Sequence, residues 1–94
     1  MPYIRAENRE RLDAHIDVLA ARVYEPGELN YCITRLVLRF LKHRGVSYGS
    51  LAAVVGTLNL VSTELERRVI NPYEDEKIAE NGDVPEYRIW TLNS

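Results

Sequence analysis

The chain has 94 residues, of which 46% are hydrophobic and 28% are charged, a balance that excludes an intrinsically disordered chain and is typical of one small globular domain. The formal net charge of −2 at pH 7 gives no general attraction to nucleic acid or anionic membranes, and no apolar run is long enough to span a bilayer. The single cysteine excludes an internal disulfide framework and favours a cytoplasmic location.

The first predicted helix covers residues 6–24. Apolar side chains recur there at helical spacing and form one stripe, which consists of Leu12, Ile16, Leu19, Ala20 and Val23. Pro26 should end this helix because the residue before a proline disfavours helical dihedrals, and the proline itself suits the first turn of a second helix.

The second predicted helix covers residues 26–44 and carries apolar residues beyond one face. Its stripe consists of Leu29, Ile33, Leu36, Val37, Phe40 and Leu41, widened by Cys32 and Leu38. Gly45 is expected to end the helix because glycine readily adopts the left-handed conformation of helix C-termini.

The third predicted helix begins at Ser47, a residue type that caps helix N-termini well. Its buried side is predicted to consist of Leu51, Val54, Val55, Leu58, Leu65 and Val69. Because the second and third helices are apolar on more than one side, a single copy of so short a chain would leave apolar surface exposed. The sequence therefore predicts a homo-oligomer, with a compact monomer as the alternative.

Pro72 interrupts the helical pattern because it lacks an amide hydrogen and clashes with the preceding turn. Two interpretations are open: a short fourth helix over residues 72–81, capped by Asn71 with Glu74 at the third helical position, or the kinked end of the third helix. Gly82 should end this segment in either case.

Together these patterns predict an all-α fold with three main helices and a short helix after a proline kink. The helices should form a single domain over residues 1–84. Residues 85–94, which include Trp90, are predicted to be an extended tail because apolar and aromatic residues follow Pro85.

A polar and aromatic surface is predicted on the second helix, where Asn30, Tyr31, Arg35 and Arg39 occupy adjoining positions. Residues 29–44 contain four basic side chains and no acidic one. Arginine binds phosphate through two parallel hydrogen bonds, and tyrosine rings stack on bases. The pattern therefore favours a binding site for a phosphate-bearing ligand.

Four later residues are predicted to join this site. Arg68 would bind phosphate, Tyr73 would stack or form a hydrogen bond, and Glu74 and Asp75 would meet ribose hydroxyls or orient the arginines. The alternative is that the arginines pair with acidic residues of the same fold or across a subunit boundary, and the acidic candidates are Glu64, Glu66 and Glu74.

No catalytic residue, metal ligand or cofactor is predicted. Glu7, Glu10 and Asp13 have the periodicity of the magnesium sites in all-α nucleotide pyrophosphohydrolases, which is the enzyme alternative, but they lie at the start of the first helix, where ends fray. A nucleic-acid partner is not expected, because the helix after Gly45 is apolar rather than basic.

The blocks MPYI, GELNYCIT and PYEDEKIAENGDV resemble a family of short uncharacterised proteins from phages and prokaryotes. The resemblance covers about residues 1–84 and implies a standalone domain without an assigned activity. By analogy with phage proteins of this size, we expect an anti-defence role in which an oligomer sequesters a nucleotide immune signal. The binding alternative is a module that docks on a host or phage protein through Ile89 and Trp90.

Overall fold

The computed structural model describes residues 4–87, and every regular element in that range is helical. Four α-helices have both ends within that range: α1 (Ala6–Ala20), α2 (Pro26–Arg44), α3 (Tyr48–Leu65) and α4 (Asn71–Asn81), with a π-helical segment (Glu66–Ile70) between the last two. The all-α fold class is therefore confirmed. Most of the predicted tail, including Ile89 and Trp90, lies outside the described residues.

The chain divides into two compact units, and the boundary between Leu58 and Asn59 falls within α3. The first unit contains α1, α2 and the first turns of α3. The second contains the end of α3, the π-helical segment and α4. Among the described residues of the first unit, no helix backbone packs closely against another.

Helix α1 is shorter than predicted, because the chain leaves the helix after Ala20 instead of continuing through Tyr24. The carboxylate of Glu28 accepts hydrogen bonds from the amides of Tyr24, at 2.8 Å, and Glu25, at 2.9 Å. These two residues therefore belong to the capped start of α2. The apolar stripe continues to Val23, but this residue follows a turn, and its amide donates to the Ala20 carbonyl at 3.3 Å.

Helix α2 has the predicted bounds, and Gly45 ends it with a φ of 83°. Ser47 caps α3 as predicted. The Ser47 hydroxyl accepts from the Ser50 amide at 3.1 Å, and the Ser50 hydroxyl accepts from the Ser47 amide at 2.9 Å. This reciprocal pair has the arrangement of a capping box, with serine in the place of the usual glutamate.

The chain stays helical from α3 into α4, so the predicted cap at Asn71 is wrong. Asn71 has helical dihedrals, φ −62° and ψ −48°, and its amide donates to the carbonyl of Glu66, five residues back. The ring of Pro72 would crowd a regular α-turn, and the wider π-turn before it gives the ring room. Gly82 ends α4 with a φ of 84°, as predicted.

The start of the tail also differs from the predicted extended structure, because residues 85–87 are helical. The amide of Tyr87 donates to the carbonyl of Val84 at 3.2 Å, and the Asp83 carboxylate accepts from the Val84 amide at 2.7 Å. Pro85 occupies the first helical position, where its fixed φ favours a helix start over a strand.

The apolar stripes are largely uncovered in the single chain. Among residues 4–87 Leu41 alone is buried, with 8% of its surface exposed. The side of α3 that was predicted to be buried is instead accessible, with Leu51 44% and Val55 58% exposed. The reason is that no second helix of the first unit lies close enough to cover it.

Candidate functional site

The four predicted site residues on α2 lie on exposed positions of that helix. The guanidinium carbon of Arg35 is 5.9 Å from the centre of the Tyr31 ring, which is a cation–π distance. One residue earlier along the helix, the Thr34 hydroxyl donates to the side-chain oxygen of Asn30 at 3.3 Å. Arg39 lies one turn after Arg35 at the same spacing. This arrangement presents an aromatic ring and cationic donors on one side of the helix.

The other four predicted site residues lie in the second unit. Arg68 belongs to the π-helical segment, and its Nε atom is 3.3 Å from Glu64 Oε1. In α4, the Lys77 amino group lies 5.6 Å from the centre of the Tyr73 ring. Glu74 and Asp75 are exposed on the same helix. The eight predicted residues therefore form two groups, and Arg68 has the acidic partner that the alternative interpretation required.

Glu64 holds two arginines at the junction of α3 and the π-helical segment. Both of its carboxylate oxygens accept hydrogen bonds from Arg67, at 2.8 and 3.1 Å. This hydrogen bonding, together with the positive charges of Arg67 and Arg68, lowers the pKa of Glu64 from its ordinary value of 4.5 against the opposing effect of partial desolvation. Glu64 is therefore ionised at neutral pH.

An apolar groove lies between α1 and α2 in the first unit. It has a volume of 670 Å³. Its lining consists of Ile16, Leu19, Ala20, Val23, Tyr24, Glu25, Pro26, Leu29, Cys32, Ile33 and Leu36. Since Glu25 is the one charged residue of this lining, the groove is suited to apolar side chains rather than to an ionic ligand.

The two apolar stripes were predicted from the sequence, but the groove between them was not. The linker residues Tyr24 and Glu25, which are part of the lining, were not predicted as site residues at all. The groove could have been predicted from the short linker over residues 21–25, which joins two amphipathic helices. Linkers of this length commonly join neighbouring helices that face each other.

Helix α3 offers a second apolar surface. Its 18 residues include a single charged side chain, Glu64, near the C-terminal end. Large apolar residues are exposed along its length, for example Val55 at 58% and Val61 at 60%. None of the described helices is both long and apolar enough to cross a membrane.

Within residues 4–87 the titratable side chains do not assemble into a metal site. In the part of the chain that the structure describes, no group of three or more histidine, cysteine, aspartate or glutamate residues is arranged to hold a metal ion. Glu7 and Glu10, the periodic acidic residues at the N-terminus of the chain, are exposed on α1.

Comparison with known proteins gives one informative result. No curated protein and no solved structure matches the chain significantly. The model of a family described as "Domain of unknown function (DUF6899)" matches residues 1–84, the span over which the sequence blocks suggested a family resemblance. Because this match covers α1 to α4 and most of the chain, the protein belongs to the DUF6899 family.

Proposed function

We propose that the chain is a self-associating helical binding protein whose copies bind a phosphate-bearing nucleotide. The observation that carries the first half of the proposal is the near-absence of buried apolar side chains, since Leu41 is the one buried residue among residues 4–87. A small domain obtains most of its stability by removing apolar surface from water. Association of copies supplies the burial that the single chain lacks.

The exposed apolar area of the first unit is large enough for an interface. Its described residues include seventeen large hydrophobic or aromatic side chains with exposed fractions from 41 to 89%. Full burial of a large apolar side chain removes roughly 60–120 Å² from water, and the seventeen side chains are on average a little over half exposed, so together they expose roughly 600–1,100 Å². A stable protein interface buries about 800 Å² on each partner.

The polar and aromatic side of α2 supports the second half of the proposal. The exposed pair of Tyr31 and Arg35 offers a ring for a base and a guanidinium for a phosphate, and Asn30 and Arg39 lie within one turn of the pair. Exposed side chains of this kind bind a small ligand more tightly when a second protein surface encloses it, because more of the ligand's surface is then buried. Association of copies could supply that second surface.

The group in the second unit is the weaker part of the proposed ligand site. Arg68 already contacts Glu64, so binding of phosphate would compete with an existing ion pair. Tyr73, Glu74 and Asp75 are exposed and are proposed to contact the base or ribose. In the phage setting that the sequence blocks suggest, the protein would act in the cytoplasm by sequestering a host nucleotide signal.

Self-association is tested by the mass of the purified protein. Sedimentation velocity at micromolar concentration, together with native mass spectrometry, should give a multiple of the 10.8 kDa chain mass. A single 10.8 kDa species over this range would overturn the proposal. That result would favour the alternative in which the same exposed surface docks on a host or phage protein.

The ligand class is tested by calorimetric titration with a panel of cyclic and linear nucleotides. We expect Arg35→Ala to weaken binding at least about tenfold, because a charge-assisted hydrogen bond to phosphate contributes roughly 1.5–3 kcal/mol. Arg11→Ala, which removes an exposed arginine from α1, is the matched control and should bind like wild type. Absence of heat with every nucleotide would remove the ligand from the proposal and leave self-association untouched.

A further inference from the structure

We infer that the apolar groove between α1 and α2 is filled by the face of α3 that carries Leu51, Val55 and Leu58 from a second copy of the chain. This inference rests on the proposed self-association and names the surfaces that make it. The groove belongs to the first unit, and the three residues of α3 belong to the same unit of the partner copy.

Charge distinguishes α3 from the other helices as the occupant. No charged side chain occurs in α3 from Tyr48 to Thr63, so its first four turns can be buried without desolvating an ion. The groove lining is equally free of charge apart from Glu25. In helix α4, Glu74, Asp75 and Glu76 follow one another and spread carboxylates around about 200° of the helix, which leaves a narrower uncharged side than α3 has. Helix α4 is therefore less suited to the groove than α3.

The spacing of the side chains fits helix packing. Leu51, Val55 and Leu58 follow one another by four and three residues, which places them on one side of α3. The groove walls repeat the same pattern, with Ile16 and Leu19 on α1 and with Leu29, Ile33 and Leu36 on α2. Three helices with such rows pack by placing the side chains of one row between those of the facing rows.

The apolar side chains on both sides of the proposed contact are exposed in the single chain. Leu51, Val55 and Leu58 are between 41 and 58% exposed, and Leu36 in the groove wall is 72% exposed. Together with the other exposed side chains of the groove lining, these residues expose about half of the roughly 600–1,100 Å² of the first unit, that is roughly 300–550 Å² on each copy. A stable interface buries about 800 Å² per partner, of which about 56–58% is apolar, so this area is of the required size. A two-fold arrangement would form the contact twice, once in each direction.

Cys32 makes this contact measurable, because it lies in the groove wall and is the single cysteine of the chain. Wild-type protein supplies a thiol in the groove. A second protein, the double variant Cys32→Ser/Leu58→Cys, supplies a thiol on α3 alone. Co-expression of the two with different affinity tags, followed by mild oxidation, can form a disulfide between Cys32 and position 58 only across two copies. We expect this mixed disulfide as a major product by non-reducing electrophoresis and mass spectrometry.

Two further variants complete the design. Cys32→Ser/Val55→Cys places the thiol one turn earlier on the same side of α3 and should also form the mixed disulfide. It preserves the test if the substitution at Leu58 prevents folding, which circular dichroism would report. Cys32→Ser/Leu60→Cys is the control, because Leu60 lies on the opposite side of α3 and is 58% exposed.

The outcomes separate the inference from the proposed function. Mixed disulfides at least about tenfold more abundant at position 58 or 55 than at position 60 support the contact. An oligomer that gives no mixed disulfide, or equal amounts at all three positions, overturns the inference and leaves self-association standing. A monomeric mass of 10.8 kDa for unmodified wild type overturns both.

Discussion

At the scale of single residues, Glu64 has the most definite surroundings in the second unit. It accepts hydrogen bonds from Arg67 and lies 3.3 Å from Arg68, three and four residues further along the chain. Both arginines are more than half exposed, so solvent screens these ion pairs and their contribution to folding is small. Their main consequence is local: Arg68 is paired with Glu64, so its proposed contact with phosphate would have to compete with this pair.

The first prediction concerns the pH dependence that Glu64 confers. Because hydrogen bonding from Arg67 lowers the pKa of Glu64 in the folded protein, the stabilisation is complete above the ordinary pKa of 4.5 and is lost as pH falls through the lowered pKa. We expect the thermal midpoint of wild type to fall more steeply on acidification below pH 4.5 than that of Glu64→Gln. Differential scanning calorimetry across this pH range measures both slopes.

Glu10→Gln, which changes an exposed glutamate of α1, is the control for this prediction. It should retain the wild-type slope. Equal slopes in wild type and Glu64→Gln would show that the carboxylate contributes nothing to the acid sensitivity of the fold.

At the scale of helices, local chemistry at the ends accounts for most of the observed bounds. At the start of α2, the carboxylate of Glu28 accepts hydrogen bonds from two backbone amides. At the start of α3, Ser47 and Ser50 each accept a hydrogen bond from the amide of the other. Gly45 ends α2 with a positive φ. Each of these contacts spans five residues or fewer, so it forms without help from distant parts of the chain. This locality explains why the bounds of α2 and the start of α3 were predictable.

The second prediction tests the cap of α3. Ser47→Ala removes the hydroxyl that accepts from the Ser50 amide, and we expect a loss of about 1 kcal/mol in the free energy of unfolding. Urea denaturation at a fixed protein concentration measures it, since association makes stability depend on concentration. Thr63→Ala, an exposed position near the end of the same helix, should change stability by less than about 0.5 kcal/mol. An effect no larger at Ser47 than at Thr63 would contradict the capping role.

The third prediction concerns the π-helical segment. If the ring of Pro72 causes the wider turn, Pro72→Ala should allow the Asn71 amide to donate to the carbonyl four residues back in place of Glu66. The variant should be more stable by on the order of 1–3 kcal/mol, because a proline inside a helix is costly. Nuclear magnetic resonance can follow the hydrogen-bond pattern, and denaturation can follow the stability.

Pro26→Ala is the matched control for this substitution. Pro26 occupies the first position of α2, where a missing amide hydrogen carries no penalty, so its replacement should not stabilise the protein. A π-turn that persists in Pro72→Ala without a gain in stability would place the cause of the turn elsewhere in the sequence.

At the scale of the whole molecule, the decisive property is the mismatch between apolar composition and apolar burial. The chain is 46% hydrophobic, yet Leu41 is its one buried residue within residues 4–87. Burial of apolar surface is the main favourable term in folding, and large exposed apolar surfaces commonly mark contacts with other molecules. The proposed association of copies would remove this apolar surface from water.

The fourth prediction follows from that explanation. Leu36 lies in the groove wall and is 72% exposed, so replacement by lysine should be nearly neutral in a monomer. In an oligomer that buries the groove, Leu36→Lys would force a charge into an apolar contact, and we expect dissociation to a 10.8 kDa species by sedimentation. Leu38→Lys is the control on the same helix, because Leu38 is 58% exposed but does not line the groove. Unchanged mass in the Leu36 variant would exclude the groove from the interface.

The candidate site shows where prediction from sequence reached its limit. Spacing by four residues was enough to place Tyr31 and Arg35 on the same side of α2, because helix geometry fixes which neighbours meet. The same reasoning could not decide whether Arg68 faces a ligand or Glu64, since both arrangements satisfy a guanidinium. It also missed the groove, because a groove depends on how two helices are placed relative to each other.

The sequence by itself determined the all-α class, the bounds of α2, the cap at Ser47 and the stops at Gly45 and Gly82, because hydrophobic periodicity and end chemistry are local properties of a helix. The π-turn before Pro72 and the ion pair of Arg68 with Glu64 are local as well, but periodicity and end chemistry allow more than one arrangement there, and the structure shows which one forms. Tertiary structure decided the uncovered apolar faces of the first unit, which follow from the spatial separation of its helices and not from their composition.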